Sequence, residues 1–178
     1  MKSALSVALA LGLLALVACA SGPKIIAPNV PAALQPPAGQ VAYIEALATG
    51  VQIYECVAKP DAPDGYAWAF RAPEAALMDR SVQPLGKHFA GPTWQAPDGS
   101  AVVGEVVARD PGPDPGAIPW LLLSAKSTSG SGLFSATKSI QRVQTAGGTM
   151  PAWACGASNT GEVARVPYTA TYYFYRAP

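Results

Sequence analysis

Histidine is almost missing from this chain: among 178 residues there is one, His88. Charge is also scarce, with 12 Lys and Arg against 11 Asp and Glu, 13% of the chain. There are three cysteines. No stretch keeps a long 3.6-residue hydrophobic period, and no apolar run reaches the roughly 20 residues of a spanning helix. Each absence removes a class. One histidine and few cysteines do not make a zinc site, which takes three or four such ligands, so no metal is expected. A net charge of +1 gives no general drive toward nucleic acid. The missing helical period argues against a bundle. Strands that do not alternate with helices of 10–15 residues argue against a parallel α/β sheet. No G-x-G-x-x-G follows a strand and no G-x-x-x-x-G-K-[ST] occurs, so no nucleotide cofactor is expected. Asp110-Pro111-Gly112-Pro113-Asp114 offers two carboxylates without the D-x-D-x-D-G series of a calcium loop, and reads as a surface turn.

What is present is hydrophobic: half of the residues, enough for a core, interrupted by 17 glycines and 18 prolines. The first 18 residues carry one charge, Lys2, and an apolar run from Ala4 to Ala18. A basic start, a short apolar centre and small residues at its end describe a secretory signal peptide. The run closes on Leu16-Val17-Ala18-Cys19, which resembles a bacterial lipobox, with Cys19 as the acylated residue. Ala20 rather than an aspartate follows it, and by resemblance to Gram-negative sorting rules this implies the outer membrane. Removing residues 1–18 takes away Lys2 alone and leaves 11 basic and 11 acidic side chains on 160 residues, a neutral body. The expected address is therefore exported and lipid-anchored in the cell envelope, with the membrane as one partner.

Residues 19–40 hold Pro23, Pro28, Pro31, Pro36 and Pro37. Proline fixes φ and lacks a donor, so this segment reads as a semi-extended tether with a mobile first half and a part, Val30 to Leu34, that could dock on the domain. Residues 41–178 form the domain. Cys56 and Cys155 remain after Cys19 is assigned. In an oxidising compartment two leftover cysteines pair, and these lack the spacing of a reactive or metal pair.

The domain reads as strands. The expected ones are Val41–Leu47, Gly50–Val57, Tyr66–Arg71, Ala101–Ala108, Trp120–Ala125, Ser139–Thr145 and Tyr168–Arg176. Within the second, Val51 and Ile53 alternate with Tyr54 and Cys56. Pro73 to Met78 reads as one helical turn with proline at its start. Ser124 to Ser135 reads as a mobile Ser/Gly-rich loop, a lid or a hairpin connection. The fold class is all-β, an antiparallel sandwich or barrel with long loops and little helix.

Several segments together resemble one family. They are Gly50-Val51-Gln52-Ile53-Tyr54-Glu55-Cys56, Trp68-Ala69-Phe70 with Pro73-Glu74-Ala75-Ala76-Leu77, and His88-Phe89-Ala90-Gly91-Pro92-Thr93-Trp94. Asp98-Gly99-Ser100, Ile118 to Leu123, Ile140 to Gly148 and Val166 to Ala170 continue the series. It is similar to the DUF3455 family, secreted proteins of bacteria and fungi, over about Val30 to Tyr175. Some fungal members carry a malate dehydrogenase label, which the missing dinucleotide fingerprint does not support here.

Three functions are weighed. The preferred one is a lipid-anchored β domain that binds a small molecule or an envelope protein without catalysis. Tyr and Trp bring an apolar body and a polar tip to a pocket. Trp94, Trp120 and Tyr54, with Gln141 and Arg142 from a polar stripe on Ile140–Gln144, are the candidate binding residues. The second is a hydrolase centred on His88, with Asp98 to orient it and Ser100 or Glu55 nearby. Against it, Ser100 has no G-x-S-x-G context. The same segment also reads as strand, Gly-Pro turn, strand and Pro-Asp-Gly hairpin, with His88 hydrogen-bonded beneath a loop. The third is a structural envelope component using its sheet surface.

Overall fold

The computed structural model describes residues 25–178. The signal segment and Cys19 lie outside the described residues. β1 (Val41–Ala58) shows the plan of the whole domain. From Ile44 to Cys56 every even-numbered side chain points inward and every odd one outward, the two-residue period of a half-buried strand. The two expected strands of this region are one continuous strand of 18 residues. Gly50 permits this, because a Cβ there would sit 2.0 Å from the Glu74 carbonyl oxygen of the neighbouring strand.

The remaining strands are β2 (Tyr66–Met78), β3 (Pro84–Phe89), β4 (Thr93–Gln95), β5 (Ala101–Asp110), β6 (Trp120–Ser129), β7 (Ser139–Gly147) and β8 (Val163–Arg176). Each pairs antiparallel with the next, and β8 returns to pair with β1 from Val41↔Arg176 to Glu55↔Val163. The sheet is thus a closed up-and-down barrel, which decides between the two all-β architectures and leaves no free edge. The inside is mostly apolar, with Ile44, Ala46, Leu77, Val102, Leu123, Ile140 and Phe174 among its buried residues. Lys87, Glu74 and Arg165 stand outside, the reverse of a lipid-facing barrel.

Two elements differ from their sequence reading. Pro73 to Met78 is not a helical turn but the second half of β2, paired with Leu47 to Gln52. Its Ala and Leu are good helix formers, yet Ala75 and Leu77 are buried in the core only with strand periodicity. Ser124 to Ser129 is strand, so the connection it was assigned to shrinks to residues 130–138. That connection is anchored. Asp98 Oδ2 accepts from Leu133 N at 2.8 Å, Ser100 Oγ accepts from Phe134 N at 3.1 Å, and Tyr43 OH donates to Leu133 O at 3.1 Å. Phe134 is thereby driven into the barrel, fully buried against Phe174 at 4.7 Å, and plugs that end.

The opposite end carries the β1–β2, β3–β4, β5–β6 and β7–β8 connections. Cys56 and Cys155 are joined in a disulfide that ties β1 to the β7–β8 connection. Trp68 Nε1 donates to Trp153 O at 3.0 Å and Tyr54 OH donates to Gly148 O at 2.7 Å, folding this connection over part of the opening.

On the outside, β8 breaks the half-buried rule: Thr171 to Tyr175 are buried on both faces. The cover is the proline-rich segment. Val30 and Leu34 pack with Leu122, Val143, Tyr173 and Tyr175, joined by Ile25 and Ala27. A 3-10 turn at Ala32–Leu34 presents Leu34 to this patch, and its carbonyl accepts from Gln141 Nε2 at 2.7 Å.

Candidate functional site

Between the apolar floor and the open end, the barrel holds a cavity of about 370 Å³. An eight-stranded barrel is just wide enough either to fill with side chains or to hold one small ligand, and this volume sets the present one in the second group. Trp94 forms the floor. Its ring lies against Gly104, where a Cβ would come within 2.9 Å of the indole. His88 of β3 and Trp94 of β4 are register partners, so their side chains share a face. They stack at 4.3 Å with 11° between the planes. Tyr172 of β8 meets both edge-on, at 5.2 and 5.3 Å. Leu121, Leu123 and Ile118 form an aliphatic wall. Phe70, Val106 and Pro92 line it from strands and connections near the open end.

His88 is 3% exposed. Nδ1 donates to Thr93 O at 2.9 Å, which leaves Nε2 as a lone-pair acceptor. Burial holds its pKa down to about 3, opposed in part by the Thr93 hydrogen bond, so the ring is neutral at physiological pH. Asp98 and Ser100 are not beside it. They belong to the plugged end, where they fix residues 132–134. Among the described residues no hydrogen bond joins His88 to either. Glu55 faces outward and accepts from Arg71 Nε at 2.8 Å.

Of the five candidate binding residues, Tyr54, Trp94 and Arg142 line the cavity. Gln141 and Trp120 do not: they stand on the outer face under the docked segment, Gln141 with its carbonyl bonded to Tyr175 OH. Strand alternation separates Gln141 from Arg142, so a stripe holding both does not form. Three interior polar residues outside the candidate set are Gln52, Tyr168 and Tyr172. A period-2 count from Tyr54 reaches Gln52, and one from Phe174 reaches Tyr172 and then, past Ala170, Tyr168.

The electrostatics are one-sided. Arg71, Arg109 and Arg142 line the cavity, and among the described residues no acidic one does. Arg71 is paired with Glu55. Arg142 has no carboxylate partner among the described residues. Its Nε and Nη2 donate to Pro119 O at 3.1 and 2.8 Å, holding the β5–β6 connection. Among the described residues, Gln52 Nε2, Trp94 Nε1, Tyr168 OH and Tyr172 OH are buried without a hydrogen-bond partner in good geometry, although Tyr168 lies beside Tyr172 and Gln52, and Tyr172 beside Arg142. Burial raises the pKa of Tyr54, Tyr168 and Tyr172. All three phenols are therefore protonated at neutral pH. Among the described residues, no cluster of His, Cys, Asp and Glu is arranged to hold a metal ion.

No curated protein and no solved structure matches this chain. The family model of DUF3455, described as a protein of unknown function, matches residues 37–176, which spans all eight strands and every cavity residue, and the chain belongs to that family.

Proposed function

We propose that this protein is a small-molecule-binding barrel of the cell envelope, held at a membrane through Cys19. The observation that carries the binding reading is the cavity at the open end of the barrel, whose lining residues Gln52, Trp94 and Tyr172 hold buried polar atoms left without partners among the described residues. Buried donors in a folded chain are nearly always paired, and an unmet donor costs about 1–3 kcal/mol. A cavity that retains several is built to meet them with something else. The anchor reading rests on Leu16-Val17-Ala18-Cys19 at the end of an apolar run. No catalytic step is part of the proposal: His88 is neutral and engaged with Thr93 O.

The binding reading is tested with naphthalenemethanol, a neutral aromatic probe sized for the cavity. One-to-one binding is expected in titration calorimetry. Leu121→Trp, filling the cavity from β6, should abolish that binding while keeping the far-ultraviolet dichroism and the cooperative urea unfolding of the fold. A wild-type protein that does not bind the probe refutes a ligand cavity. For the anchor, Cys19→Ala should lose acyl label and leave the membrane fraction.

A further inference from the structure

We infer that the cavity selects a small oxyanion, a carboxylate on a flat apolar body, and that Arg142 is the residue that recognises it. This rests on the cavity being a ligand site, and adds the chemistry of the ligand.

A guanidinium has five N–H groups in a planar fork. Pro119 O takes two of those on Arg142, and three remain. A half-buried cation lining a largely apolar cavity is costly unless an anion meets it. Among the described residues no carboxylate does. The unmet polar groups around it are of matching sense. Tyr172 OH lies beside Arg142 and Tyr168 OH, and Tyr168 OH lies beside Gln52, yet among the described residues none of Tyr172 OH, Tyr168 OH and Gln52 Nε2 has a hydrogen-bond partner in good geometry. Each can donate. A ligand that satisfies them supplies acceptors, and one that satisfies Arg142 supplies negative charge. Arg forks match carboxylates in both respects and bind them in pairs of parallel hydrogen bonds. The body of the ligand follows from the walls: Trp94, neutral His88 and the aliphatic side of β6 offer flat and apolar surface, and of the three lining arginines Arg71 is exposed and paired with Glu55 and Arg109 is exposed, which leaves Arg142 as the half-buried cation.

The alternative is that Arg142 serves only to hold Pro119. A bond to one carbonyl can be made by a neutral amide, and an uncompensated cation is an expensive way to make it. The absence of any acid from the lining is also unexplained on that view.

Titration calorimetry at about pH 7.5 compares naphthoate with naphthalenemethanol, two probes that differ in charge and little in shape. The expected result is that wild-type protein binds naphthoate tighter by about tenfold or more, charge-assisted hydrogen bonds being the stronger class. In Arg142→Met that ratio should fall to about one, whatever happens to either affinity. Arg142→Lys keeps the charge without the fork, and a smaller preference for the acid is expected. Equal wild-type binding of the two probes overturns the oxyanion inference and leaves the ligand cavity standing. Failure of both probes overturns the cavity itself. An undiminished ratio in both variants moves the anion contact away from Arg142.

Discussion

Stability should fall steeply with mild acid, and a single residue should be responsible. His88 is the only histidine, and burial depresses its pKa from 6.5 to about 3. Above the ordinary value both folded and unfolded chains carry it neutral, and its contribution is fully present. Below that value the unfolded chain takes up a proton that the folded chain refuses, so folding loses ground until the pH reaches the folded pKa. Each pH unit across this window costs about 1.4 kcal/mol. From pH 7.5 to pH 5 the expected loss is about 2 kcal/mol, since only the 1.5 units below 6.5 count. The window is clean. Glu45, held down by the Arg80 hydrogen bond, and Asp98, held down by Ser100 and Leu133, exert their own linkage at lower pH. Urea unfolding at the two pH values measures the difference. His88→Gln should flatten the pH dependence, whatever it does to stability at neutral pH. A wild-type loss below about 0.5 kcal/mol, or a slope that survives in His88→Gln, would refute the buried neutral ring.

Two further perturbations probe the frame around the cavity. Leu34→Ala empties a fully buried position under the docked segment and should cost about 2–3 kcal/mol in urea unfolding, the lower part of the range for such truncations because a surface segment can settle inward. A change near zero would mean that the segment does not add to barrel stability. Replacing Cys56 and Cys155 together by alanine opens a link between residues 99 apart. The chain-entropy model gives a loss of up to about 4.7 kcal/mol, read as a lowered unfolding midpoint. An unchanged midpoint would show that the hydrogen bonds from Trp68, Tyr54 and the Cys56 backbone hold the β7–β8 connection without the disulfide.

The strand class was legible because β1 alternates along nearly its whole length and Tyr66–Arg71, Ala101–Ala108 and Ser139–Thr145 are bounded by turn residues. Closure was not, since the β1–β8 pairing joins residues more than a hundred apart and has no local signature. The helical reading of Pro73 to Met78 followed local propensity, which the neighbouring strands override. In β8 the run from Thr171 to Tyr175 hides its period, because the docked segment buries the outer face as well. The same effect obscured the site. Tyr172 points inward and Tyr173 outward, yet both are buried tyrosines, and only the three-dimensional alternation assigns one to the cavity. Gln141 and Arg142 were read as one stripe although adjacent strand residues face opposite ways. The disulfide was legible by elimination and compartment, and the structure contains it.

The segment packed on the outer wall also sets a length. With an anchor at Cys19, a tether free as far as residue 40 would reach about 75 Å when extended. Because Ile25, Ala27, Val30 and Leu34 pack against the barrel, a leash from the proposed anchor would count only from Cys19 to Ile25, at most about 22 Å. The barrel would then be moored close to the bilayer instead of sweeping the space beyond it. It would sample what lies near the lipid headgroups, and undocking the segment would be the step that releases it to reach further.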